Sequence, residues 1–151
     1  MSKQPKGYYK GSKTGGRNTA MTANFKRETV EEILEYPCVA IEERGITQKT
    51  AEKFGVRTAF DTRDGNTPVA HYFPYYLDGK IAGFKKRDLT KPKMQDSHFT
   101  VVGYQSVKCD MFGTNVANKT GGKKIWVTEG EFDCLIVWQT LKNKYPQANP
   151  L

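Results

Sequence analysis

Lys123-Lys124-Ile125-Trp126-Val127-Thr128-Glu129-Gly130-Glu131-Phe132-Asp133-Cys134-Leu135 is the stretch whose reading decides the fold. Ile125, Trp126 and Val127 form a short apolar, β-prone run and read as a buried strand at 124–128. Phe132, Leu135, Ile136 and Gln139 then recur at helical spacing, which predicts a helix over 131–143. Between them three carboxylates, Glu129, Glu131 and Asp133, fall within five residues around Gly130. Strand, acidic turn and helix place Glu129 at the carboxyl end of a strand, the edge of an open α/β sheet where ligands bind. Oxygen ligands of this kind suit a hard cation such as Mg2+, which leaves coordination positions for phosphates. Glu129 could bind a metal directly or act as a general base. Glu131 and Asp133 are equally accounted for by the positive end of the helix dipole. No acid follows Asp133, so the metal site Glu129, Glu131, Asp133 reads as incomplete. The chain stops about twenty residues later, fewer than a parallel sheet requires.

Working outward, the preceding segment is β in grammar. Val56–Phe60 alternates in part, Asp64-Gly65 and Asp78-Gly79 are turn signals, and Val69–Tyr76 is aromatic but interrupted by Pro74, which predicts an edge strand. Lys80–Arg87 is a strand with Ile81, Gly83, Lys85 and Arg87 on one face and Ala82, Phe84 and Lys86 on the other. His98–Tyr104 is a further strand, 111–116 is short and apolar, and 118–122 reads as loop. Upstream, Glu28–Glu35 and Thr47–Phe54 are short helices, the second capped by Thr47 and stopped by Gly55. Residues 1–24 hold Lys3, Lys6, Lys10, Lys13 and Arg17 and no acid, with Tyr8 and Tyr9 among them. They read as a basic, flexible arm or a linker. The expected organisation is α+β: the arm at 1–24, a small, mostly antiparallel basic β subdomain with short helices at 25–110, and the opening strand and helix of an α/β fold at 111–151.

Composition narrows the function. The 151 residues carry a net charge of +8, and the pI of about 9.4 meets the basicity criterion for a nucleic-acid binder. Lys85, Lys86, Arg87, Lys91 and Lys93 concentrate that charge beside Tyr72, Tyr75, Tyr76 and Phe84. Cations among aromatics suit single-stranded nucleic acid, where lysines meet phosphates and rings stack on bases. The competing account is a solvated charged face with the aromatics in the core, and for the aromatics the core is the default. Cys38, Cys109 and Cys134 are unpaired in sequence, which excludes a zinc ribbon or finger and points to reduced thiols in a cytosol. No run of about eighteen apolar residues predicts a membrane span. His71 and His98 stand alone, with core or surface roles as the default.

These segments together resemble a known family. Phe112-Gly113-Thr114 and then Gly121 to Asp133 are similar to the opening of the Toprim (topoisomerase–primase) fold, and more narrowly to the primase half of phage primase–helicases and the Twinkle-like family. Glu43-Arg44-Gly45-Ile46-Thr47 with Phe54-Gly55-Val56, the basic strand Lys80–Asp88 and the strand Phe99–Gly103 follow in the order of that family. The resemblance implies RNA primer synthesis on single-stranded DNA from ribonucleoside triphosphates with Mg2+, in DNA replication in the (host) cytoplasm. It implies that Glu129 is the catalytic carboxylate and that Lys85 and Lys93 contact template or nucleotide. The family's zinc module, its later Asp-x-Asp strand and its helicase domain have no counterpart in this sequence. The expectation is the front part of a primase domain that depends on the remainder of the primase–helicase, or on a split partner chain, and makes no primers alone. A non-catalytic single-stranded nucleic-acid-binding module is the alternative, and a basic surface for an acidic partner protein is a third.

Overall fold

A computed structural model describes residues 27–91, 98–120 and 124–147. The basic arm at 1–24, Lys93 and the Gly121-Gly122-Lys123 turn lie outside the described residues. The architecture is mixed α+β. A four-stranded antiparallel meander, in the order β1-β2-β3-β4, consists of β1 (Arg57–Phe60), β2 (Pro68–Leu77), β3 (Lys80–Asp88) and β4 (Phe99–Gly103). Helix α1 (Val30–Leu34) covers one face. Helices α2 (Gln48–Phe54), α3 (Thr114–Thr120) and α4 (Glu131–Lys144) build the core on the other.

Alternation along β2 divides the two cores. Ala70 and Tyr72 point toward α1, where they pack with Ile33 and Phe84. His71 and Phe73 point the opposite way, against Phe132 of α4. Phe73 is 2% exposed and meets Phe132 and Phe112 edge to face, with centroids 5.2 and 5.7 Å apart. The second core continues through Ile41, Ile46, Phe54, Val116, Leu135 and Trp138.

Local signals explain the helix ends. Thr29 and Glu32 form a capping box on α1. Thr47 caps α2, and Gly55 ends it at a positive φ of 70°, which glycine adopts without a Cβ penalty. Gln139 of α4 accepts hydrogen bonds from the Thr47 backbone and the Thr50 hydroxyl and donates to the Gly45 carbonyl, which ties α4 to the start of α2.

Three expectations require correction. Residues 124–128 join no strand, and Ile125, Trp126 and Val127 are 76%, 58% and 74% exposed. Apolar, β-prone side chains form a strand only when a neighbour completes the ladder, and no described strand pairs with them. Pro74 does not mark an edge strand, since β2 is interior. Pairing with β1 ends at Tyr72, so Pro74 occupies a stretch where the β1 side is locally open and the missing N–H costs no ladder bond there. Residues 118–120, expected in a loop, belong to α3. The poor helix formers of Thr114–Thr120 are held by burial of Val116 in the core rather than by propensity.

Candidate functional site

The acidic turn and the basic strand meet in one cleft of about 320 Å3. Arg44, Lys85, Arg87 and Phe99 line it from one side, and Glu129 to Asp133 from the other. Alternation along β3 decides which cations enter. Lys85 and Arg87 share the face that looks to α4. Lys86 points to the α1 face, where both Glu28 carboxylate oxygens accept its hydrogen bonds at 2.8 and 2.9 Å. The same Glu28 accepts from the Tyr72 hydroxyl at 2.6 Å. Burial, and then this bond, push the Tyr72 phenol far above its ordinary range. Lys86 is therefore part of the α1 packing and lies away from the cleft. Lys91 is 40% exposed and sits 3.6 Å from Asp88.

On the acidic side the three carboxylates separate. Glu131 and Asp133 occupy the first turn of α4, and Gly130 precedes it as N-cap. Lys85 Nζ donates to both Glu131 oxygens at 2.8 and 3.0 Å, with both side chains partly buried. Glu129 and Asp133 are exposed. Among the described residues no three His, Cys, Asp or Glu side chains gather closely enough to hold a metal ion. With Glu131 committed to Lys85, the donors among the described residues do not by themselves assemble a Mg2+ site, which demands near-octahedral oxygen coordination. A cation at Glu129 would take its remaining oxygens from water, from phosphates or from further protein.

Arg44 and Phe99, which no sequence signal placed in the site, line the same cleft as the expected Lys85 and Arg87. Arg44 is the last residue of the short 3-10 turn Glu42–Arg44, and its guanidinium lies 5.1 Å from the Phe132 ring centre. Arg87 lies between Phe132 and Phe99, at 4.9 and 5.7 Å from their centroids. Lys85 Nζ is 4.7 Å from the Phe99 centroid. The signal for Arg44 was a cation beside a positive-φ glycine, Gly45, and by itself that did not distinguish it from any surface arginine. Of the aromatics beside the basic strand, Tyr72 and Phe84 are fully buried in the α1 core.

A larger hollow of about 570 Å3 lies elsewhere, lined by Ile41, Phe60, Leu89 and His71 among others. Glu42 and Glu43 are its charged lining groups, the wrong sign for a phosphate. The smaller cleft sets three cations beside its three carboxylates, and of the two it is the one that offers a phosphate a partner. His71 itself is buried against Phe132 and shares a hydrogen bond with Thr58 at 3.0 Å. The three cysteines are free thiols, and burial pushes Cys134 up to about 11, which leaves it protonated and unreactive at neutral pH. No helix among the described residues is long and apolar enough to cross a membrane.

No protein-family model matches the chain. Among solved structures, it is similar to the primase fragment of the bacteriophage T7 primase-helicase protein, with 28% sequence identity and a TM-score of 0.50. The similarity covers 89% of this chain and 49% of that one, so the chain spans about half the length of the fragment it matches. An antiparallel basic sheet, an acidic turn opening a helix and this likeness agree on one conclusion: the chain has a primase-like fold.

Proposed function

We propose that this chain is the template-holding part of a primase, with single-stranded DNA lying along the cleft between β3 and the start of α4. Arg44 and Arg87 take phosphates, and Lys85 joins them when it exchanges Glu131 for a phosphate oxygen. Glu129, at the opposite lip, is the carboxylate placed for phosphoryl transfer from ribonucleoside triphosphates, in concert with the remainder of a primase–helicase or a partner chain. The supporting observation is the convergence of the basic strand and the acidic turn on one cleft, although they are more than forty residues apart in sequence.

Fluorescence anisotropy with single-stranded DNA across a salt series tests the reading. Arg44 and Arg87 alone predict that log K falls with log[salt] at a slope of about −1.4, and Lys85 steepens it, since each phosphate contact on a single strand contributes about 0.7. Arg87→Ala should reduce the slope by about 0.7 and weaken binding roughly tenfold or more, the scale of one charge-assisted hydrogen bond. Negligible, salt-independent binding would remove nucleic acid from the account and leave a protein partner.

One observation favours the second reading, a non-catalytic single-stranded nucleic-acid-binding module. Lys85 holds Glu131, and the described residues assemble no three-ligand metal cluster. Mg2+ titration of wild type and Glu129→Gln separates the two. A cation-binding Glu129 predicts an affinity loss of about tenfold in the variant, whereas a vestigial carboxylate predicts superimposable curves.

A further inference from the structure

The cleft carries an exposed aromatic ring that neither core uses. Phe99 opens β4, the edge strand, and pairs with Arg87 in the β3–β4 register. Two residues on, Val101 pairs with Lys85. Alternation puts Phe99 and Val101 on the cleft face of the sheet, where they are 40% and 44% exposed. Val102 points the other way and packs in the α1 core. Phe99 therefore projects from the open edge of the sheet, with a lysine and an arginine within 6 Å of its ring centre. The His98 ring leans on it at 4.1 Å.

We infer that Phe99 is a base-stacking platform for single-stranded nucleic acid. This rests on the template-cleft reading and adds to it the group that meets the base. The occupant is set by charge complementarity. A phosphate on Arg87 or Lys85 leaves the attached sugar and base beside Phe99, within the reach of a single nucleotide. A neutral apolar ligand would bury Arg87 against itself without a counter-charge, since Glu131 is held by Lys85, and an acidic peptide would leave the ring exposed. A nucleotide satisfies both, because phosphate meets cation and the flat base covers the ring and the Val101 methyls. Stacking of this kind tolerates any base, since every base presents a π-face. Tyr72 and Phe84 cannot serve, being fully buried.

The test compares a short labelled oligothymidylate with an abasic oligonucleotide of equal length, at one salt concentration, on the full chain. Wild type should bind the base-bearing strand about fivefold tighter or more, up to roughly 150-fold, the scale of one stacked base. Phe99→Leu, which keeps an apolar side chain on a half-exposed site, should abolish that difference by weakening the base-bearing strand far more than the abasic one. Phe99→Trp should retain the difference. The platform is overturned if Phe99→Leu binds oligothymidylate as wild type does, or if it weakens both oligonucleotides equally, which marks a structural role. Equal wild-type binding of both strands removes the platform and leaves the template cleft standing. Binding of neither removes both.

Discussion

Phe73→Ala is expected to destabilise the protein by about 3–5 kcal/mol, the range for truncating a buried phenylalanine. Against a typical total of about 5–15 kcal/mol, that is a large share. Phe73 is 2% exposed at the centre of the α4-side core, and its ring touches both Phe112 and Phe132. Its removal leaves a cavity beneath the first turn of α4, the turn that holds Glu131 against Lys85. The urea midpoint should fall accordingly, and at denaturant concentrations where the variant is still folded, Arg87-dependent DNA binding should weaken with it. An unfolding free energy within about 1 kcal/mol of wild type would mean that the core closes over the gap and that Phe73 does not hold α4 on the sheet.

Acidification is expected to remove about 3 kcal/mol through one side chain. His71 is buried between β1 and Phe132, and that burial, partly offset by Glu43 and reinforced by Arg87, pulls its pKa down to about 4. The unfolded chain titrates near 6.5, so between about pH 6.5 and 4 the unfolded state takes up a proton that the folded state refuses. The stabilisation is therefore complete above about pH 6.5 and is lost progressively as pH falls toward 4. His71→Gln should flatten this limb. The difference in urea midpoint between wild type and variant, followed from pH 7 to 4.5, isolates His71 from the carboxylates that titrate alongside it. Parallel curves for the two proteins would show that His71 is not held neutral by the fold. Because Phe132 packs directly on His71, loosening should begin at the acidic turn.

Much of the local structure was legible in the chain. Thr47 and Gly55 bounded α2, a two-residue period separated Lys85 and Arg87 from Lys86, and a helical period after Gly130 placed α4. These signals concern neighbours in sequence, where backbone geometry alone determines which side chains share a face. Apolar character misled at Ile125, Trp126 and Val127, because it records a tendency toward burial and carries no information on whether a partner strand is present. Pro74 misled for a related reason: the rule concerns the hydrogen bond on one side, and how far β1 extends is a property of the whole sheet.

The sequence by itself determined the charge, the alternating basic strand, the acidic turn and the helix that follows it, since each arises from residues within a few positions of one another. Only the tertiary structure decided that Arg44, Phe99 and Glu129 line one cleft, that Glu131 grips Lys85 and that Glu28 claims Lys86 and Tyr72. Those pairings join side chains separated by tens of residues. They follow from the meander bringing β3 and β4 together and from Phe73 holding α4 over them, through packing free energies that no local pattern encodes.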